Sequence, residues 1–114
     1  MLAIKLMADF GCWPLWDLND ARNIDPESLP LSESLIDDLD RWVEMFEEDF
    51  EWGSAASSEW DPSHLDRFEA EGVRLWRCLI QELRGSCRVV YFSSCQMRVV
   101  DDPAELETPV AHNL

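Results

Sequence analysis

Basic residues are scarce in this chain. Nine lysines and arginines stand against 24 aspartates and glutamates, which gives 114 residues a net charge of −15 at pH 7. Proteins that bind nucleic acid or anionic membranes present a basic surface, so this composition argues against both classes. The excess of acid favours a basic partner, or a protein that imitates the charge of nucleic acid. The simpler alternative is that the charge only keeps the protein in solution.

Long apolar runs are also missing. No segment approaches the ~20 apolar residues of a membrane-spanning helix. The N-terminal sequence MLAIKLMADF lacks the apolar core and the small-residue cleavage site of a signal peptide. We therefore expect a cytoplasmic protein. With 46% hydrophobic residues and six tryptophans, the chain is too apolar to be intrinsically disordered, and its length fits one domain.

Motifs for catalysis, cofactor binding and metal binding are absent. The sequence has no P-loop, no G-x-S-x-G and no G-x-G-x-x-G. Its four cysteines form no C-x-x-C pair, and a zinc site needs several converging ligands, which His64 and His112 do not indicate. We predict a binding protein without catalytic residues, cofactor or metal. Because carboxylates are abundant, a small enzyme with an unrecognised acidic site is an alternative.

Hydrophobic periodicity predicts the element order β-α-α-β-β. Strands are predicted at 2–8, 87–93 and 96–100, and helices at 33–51 and 62–84. The stretch 9–31 is rich in proline and turn formers and is predicted to be a long irregular loop, and 101–114 a disordered tail. The expected fold is a two-layer α+β domain over residues 1–100, with two helices packed on one face of a small sheet.

Glycines and tryptophans indicate how the two helices end and pack. Gly53 and Gly85 follow the helical segments as stop signals. Gly72, on the apolar side of the second helix, is expected to allow a close helix contact. Trp42 and Trp76 lie on the two apolar stripes, so we expect both to be buried between the helices and the sheet.

Acidic residues line the first helix on the side opposite its apolar stripe. They recur at spacings of three and four, so like charges are neighbours, at a cost of roughly 0.2–0.5 kcal/mol per pair. A helix face with both acidic and basic residues would be solvated equally well and would avoid this cost. We interpret the face as a surface that steers the protein toward a basic partner, and the alternative is an ordinary solvated face. The predicted binding residues on it are Asp37, Asp40, Glu44, Glu48 and Glu51.

Aromatic and acidic residues also meet in the loop after the first strand. Tryptophan is enriched among interface hot spots, and carboxylates accept paired hydrogen bonds from arginine. The alternative is that these aromatics seal the core. We predict that Trp16 is the exposed anchor and that Asp17 and Asp20 pair with basic residues around it. Trp13 is predicted to be buried beside Cys12.

Several segments together resemble a family of small, acidic bacterial proteins. They are KLMADFGCWPLW (5–16), NIDPESLPLSESL (23–35), the acidic helix that ends near Trp52, FEAEG-x3-W (68–76) and RVVYF (88–92). In size and charge the chain resembles the immunity proteins that neutralise bacterial toxins. That resemblance implies a protein that occludes the active site of a basic, nuclease-like toxin domain. A nucleic-acid-mimicking inhibitor of another DNA- or RNA-binding protein is the alternative.

Overall fold

A five-stranded mixed sheet and two long helices make up the fold in the computed structural model, which describes residues 2–57 and 62–107. Side chains are described for these residues except 48–57, 62–63 and 107. The strands are β1 Leu2–Leu6, β2 Leu15–Asp17, β3 Asn23–Ile24, β4 Cys87–Ser93 and β5 Arg98–Val100. The helices are α1 Glu33–Ser57, α2 Pro62–Glu82 and α3 Ala104–Glu107, with one 3-10 turn at Pro26–Ser28. The predicted α+β class is confirmed.

Strand β1 lies at the centre of the sheet, whose order is β3-β2-β1-β4-β5. Ile4 of β1 pairs with Val89 of the parallel strand β4 and with Asp17 of the antiparallel strand β2. Two parallel strands need a long crossover connection between them. Here the chain between β1 and β4 forms that connection, and it contains both long helices. Ile4 and Leu6 are fully buried, in keeping with the alternation that predicts this strand.

The stretch 9–31 is more regular than its composition predicts. Strands β2 and β3 extend the sheet beyond β1, so the prediction of one irregular loop is wrong here. These strands have only three and two residues, too few for an alternating pattern to be recognised. A side chain helps to hold them, since Asn23 Nδ2 donates a hydrogen bond of 3.0 Å to the Leu15 carbonyl oxygen.

Helix α1 begins after Ser32, whose Oγ accepts a hydrogen bond of 3.3 Å from the Leu35 N–H. The same hydroxyl donates to Glu82 Oε2 at 2.8 Å, which ties the start of α1 to the end of α2. The predicted stop at Gly53 is wrong, because α1 continues to Ser57. One glycine costs a helix only about 1 kcal/mol relative to alanine, which is too little by itself to end a helix of 25 residues. Gly85, with a φ of +85°, follows α2 as predicted.

Aromatic side chains fill the space between the helices and the sheet. Trp42 of α1 stacks on Phe68 of α2 with ring centroids 4.6 Å apart, and Trp76 of α2 stacks on Tyr91 of β4 at 5.2 Å. Their indole N–H groups donate to the carbonyl oxygens of Phe68 and Val89 at 3.0 and 2.9 Å, as buried indoles require. The predicted burial of both tryptophans is confirmed, at 1% and 0% exposure.

Gly72 allows this aromatic packing to close around α2. A Cβ built there would lie 2.7 Å from Trp42 Cζ2 and would clash with Tyr91 Oη. The predicted close approach is therefore confirmed, and it involves ring atoms from both α1 and β4.

Residues 101–107 belong to the fold, so the prediction of a disordered tail is wrong for them. Asp102 Oδ1 accepts a hydrogen bond of 3.0 Å from the Ala104 N–H at the start of α3, and Leu106 packs against the core. Arg88 forms an ion pair with Asp101 at 3.2 Å. The rest of the predicted tail, 108–114, lies outside the described residues. None of the described helices is long and apolar enough to cross a membrane.

Candidate functional site

The acidic face predicted for α1 is present where the side chains of the helix are described. Asp37, Asp40 and Glu44 are exposed, whereas Leu39 and Trp42 between them are buried. Within the part of the chain that the structure describes, none of these three carboxylates forms a salt bridge. Their charge is therefore available to a partner. The side chains of the other two predicted members of this face lie outside the described residues: Glu48 and Glu51.

Asp38 differs from its neighbours because arginines neutralise it. Its Oδ2 accepts a hydrogen bond of 3.0 Å from Arg74, and its Oδ1 accepts one of 2.6 Å from Arg41. These two guanidinium groups, Arg74 first, hold the pKa of the Asp38 carboxyl below its usual value. Arg74 also pairs with Glu71 at 2.6 Å. This network joins α1 to α2, so Asp38 has a role within the fold.

A row of carboxylates runs along α1 and ends at the turn between β1 and β2. We call Asp37, Asp40, Glu44 and Glu47 the acidic row. Spacings of three and four residues keep its members on one side of the helix, and its ten-residue span is about 15 Å long. At its end Glu47 Oε2 accepts a hydrogen bond of 2.8 Å from the Gly11 N–H. The acidic row and the turn are thus in direct contact.

The turn between β1 and β2, residues 7–14, carries two exposed aromatic rings, and we call it the aromatic turn. Phe10 is 52% exposed and Trp13 is 45% exposed, so the prediction that Trp13 is buried is wrong. Trp16 is partly buried instead, and its Nε1 donates a hydrogen bond of 3.0 Å to the Met7 carbonyl oxygen. The difference arises because Trp16 lies within β2, paired with Lys5, whereas Trp13 precedes that strand.

Hydrogen bonds from side chains brace the aromatic turn. Asn23 Oδ1 accepts from the Trp13 N–H at 3.0 Å, and Asn23 Nδ2 donates to the Trp13 carbonyl oxygen at 2.8 Å. Asp9 Oδ1 accepts from the Phe10 N–H at 2.8 Å. Gly11, with a φ of +74°, supplies the left-handed conformation that the chain reversal needs. The backbone that carries both exposed rings is therefore held by hydrogen bonds within the chain itself.

The other predicted acidic residues of this region lie at the opposite end of β2. Asp17 is only 4% exposed, so its predicted role at a partner-binding surface is wrong. Its Oδ1 accepts hydrogen bonds from the N–H groups of Asn19 and Asp20 at 2.8 and 3.2 Å, and Arg22 lies 3.7 Å from its Oδ2. Asp17 thus shapes the turn between β2 and β3. Asp20 is exposed in that turn.

A second polar cluster, which sequence reasoning missed, joins α2 to the turn after β4. The Glu69 carboxylate accepts hydrogen bonds from Tyr91 Oη at 2.8 Å, Ser93 Oγ at 2.5 Å and the Ser94 N–H at 3.1 Å. Burial, and then the Glu69 charge, raise the pKa of the Tyr91 phenol. Although Cys95 is exposed, partial desolvation by neighbouring atoms and then the same carboxylate raise the pKa of its thiol, which disfavours a reactive thiolate. These contacts all lie within the fold, so we assign the cluster a structural role.

The described residues contain no group of three or more histidine, cysteine, aspartate or glutamate side chains arranged to hold a metal ion. The strongest candidate site is the surface formed by the acidic row and the aromatic turn, where exposed carboxylates adjoin exposed aromatic rings. Sequence reasoning found Asp37, Asp40 and Glu44 from their helical spacing, but Glu47 was not among the predicted binding residues. It missed the contact between Glu47 and Gly11, which are 36 residues apart.

Comparison with known proteins identifies the family. No curated protein matches the chain. The model of a family described as Serratia CdiI immunity protein-like matches residues 2–94. The match runs from β1 through β4 and therefore contains the acidic row and the aromatic turn. It agrees with the resemblance to toxin-immunity proteins drawn from the sequence. The chain belongs to the Serratia CdiI immunity protein-like family.

Proposed function

We propose that this protein neutralises a basic, nuclease-like toxin domain by covering its active site with the acidic row of α1, and that it acts by binding, without turnover of its own. The observation that carries the proposal is that Asp37, Asp40 and Glu44 are exposed and form no salt bridge within the described residues, in a member of an immunity-protein family. Glu48 and Glu51 continue the same spacing along α1 and belong to the proposed surface. Asp20, which is exposed in the turn between β2 and β3, is a further proposed contact outside the acidic row.

The chemistry of nucleases fits this surface. A nuclease must hold the phosphates of its substrate, so its active-site cleft is rich in arginine and lysine. Asp37, Asp40 and Glu44 form no salt bridge within the described residues, so they can accept hydrogen bonds from those side chains without first breaking such an ion pair. A single-sign field also steers the encounter, which raises association rates from about 10⁵–10⁶ to as much as ~10⁸–10⁹ M⁻¹s⁻¹ at low salt.

The test is a charge reversal on the acidic row. The variant D40K/E44K and a control variant, E27K/D66K, change the net charge by the same amount, and Glu27 and Asp66 are exposed outside the row. The binding probe is the product of the adjacent gene, tested as the candidate toxin. We expect D40K/E44K to slow association at least ~10-fold at low salt, and the effect to shrink as salt rises, because screening weakens exposed charges.

Three outcomes would contradict the proposal. The first is an unchanged association rate for D40K/E44K at low salt, and the second is equal slowing in both variants, which would reveal an effect of net charge alone. The third is nuclease or hydrolase activity of the purified protein itself that one carboxylate substitution abolishes.

A further inference from the structure

We infer that the aromatic turn is the anchor of the partner interface: Trp13 inserts into an apolar pocket of the basic toxin domain, beside the basic residues that the acidic row engages. This inference rests on the proposed function and adds to it a specific residue and a specific kind of pocket. Tryptophan is among the residues most enriched at interface hot spots, where it fills desolvated pockets.

The position of the exposed rings supports this assignment. Phe10 and Trp13 are three residues apart in one turn and leave about half of each side chain in water. Grouped apolar side chains at a surface mark interaction sites more often than isolated ones do. Another exposed apolar pair, Met97 and Val99, lies at the far edge of the sheet, on β5 and the turn before it. Of these two apolar pairs, the one in the aromatic turn adjoins the acidic row, through the hydrogen bond that the Gly11 N–H donates to Glu47.

The bracing of the turn indicates a contact surface that is organised in advance. Asn23 holds the Trp13 backbone through both its amide oxygen and its amide nitrogen, while Glu47 holds Gly11 two residues earlier. A turn that served only to seal the sheet edge would place the Trp13 ring inward, and the structure leaves it 45% exposed. Because the backbone is already ordered, binding loses less conformational entropy than it would with a mobile loop.

Charge identifies the occupant as a basic protein surface. A second copy of this chain, which also has a net charge of −15, would be repelled by the same face, and this disfavours self-association there. An apolar pocket with arginine or lysine at its rim fits both the aromatic turn and the acidic row. Its cations pair with the carboxylates of the acidic row, and a cation at the rim also interacts favourably with the face of the Trp13 indole.

The first experiment compares the binding of W13A and L18A to the same candidate toxin, the product of the adjacent gene. Leu18 is also an exposed apolar residue, and it lies at the other end of β2 from the aromatic turn. We expect W13A to keep the wild-type melting temperature and to raise Kd about 30-fold, the change that corresponds to a hot spot of ~2 kcal/mol. L18A is expected to change Kd less than about 3-fold, as do most contacts outside hot spots.

Two substitutions of Glu47 separate its role in bracing from its charge. In E47Q the side-chain amide oxygen still accepts the Gly11 N–H, whereas E47A removes the acceptor. If Glu47 acts by holding the turn, E47Q should bind within a few-fold of wild type and E47A should bind at least ~10-fold more weakly. In the W13A background E47A should then have little further effect, because the braced anchor is already gone.

The outcomes distinguish this inference from the proposed function. If W13A binds like wild type while D40K/E44K slows association, the inference is wrong and the proposed function stands. A melting temperature of W13A far below wild type would overturn the inference by showing that the ring is a structural element. Loss of self-association in W13A, seen by sedimentation velocity, would overturn it by assigning the turn to a dimer contact. Failure of the wild-type protein to bind the candidate toxin at all rejects the proposed function.

Discussion

Gly72 provides the sharpest test of the packing, because two aromatic rings occupy the space where a side chain would begin. In G72A the new Cβ would lie 2.7 Å from Trp42 Cζ2 and 3.0 Å from Tyr91 Cε1, and closer still to Tyr91 Oη. Real Cβ atoms essentially never approach a neighbour within 3.0 Å. The substitution therefore forces at least one of the two rings to move.

Two opposing effects determine the magnitude. Alanine is a better helix former than glycine by about 0.8–1 kcal/mol, which favours the variant. Overpacking a core costs about 1–3 kcal/mol, and the upper end applies here because neither ring moves freely. Trp42 is held by its hydrogen bond to the Phe68 carbonyl oxygen, and Tyr91 by its hydrogen bond to Glu69. We expect a net loss of about 2 kcal/mol, or roughly 8 °C in melting temperature for a domain of this size.

The assay is urea and thermal unfolding of G72A, Y91F and the double variant. Removing the Tyr91 hydroxyl deletes the atom nearest the new Cβ, so G72A should cost at least ~1 kcal/mol less in the Y91F background than in wild type. Circular dichroism of the folded variants checks that the fold is kept. The reasoning is refuted if G72A is as stable as wild type, or if its cost is the same in both backgrounds.

Two further predictions concern the aromatic core. Trp42→Ala and Trp76→Ala should each lower the free energy of unfolding by about 3–5 kcal/mol, and losses below ~1 kcal/mol in both would contradict the assigned helix faces. Tyr91 is the only tyrosine, and burial raises its pKa, so its phenol should stay protonated in the folded protein above the usual value of ~10. Because the unfolded phenol still ionises near 10, the stability present below that pH should fall as pH rises beyond it. Phenolate absorbance and far-ultraviolet circular dichroism should change together, and phenolate formation in a protein with native circular dichroism would show that Tyr91 is accessible.

The sequence by itself determined the features that depend on neighbouring residues. The 3.6-residue period of α1 and α2 indicates an apolar stripe, and Trp42 and Trp76 are buried because they lie on it. The same period places Asp37, Asp40 and Glu44 on the opposite, exposed side. Gly85 takes the left-handed conformation after α2 that its position predicts. In each case the information lies within a few residues along the chain.

Only the tertiary structure decided which tryptophan is exposed and what the acidic row adjoins. The exposure of Trp13 and Trp16 depends on the register of β2 against β1 and on Asn23, which lies ten residues beyond Trp13. The contact between Glu47 and Gly11 spans 36 residues. No local pattern encodes such contacts, because the exposure of a side chain depends on which distant elements the completed fold packs over it.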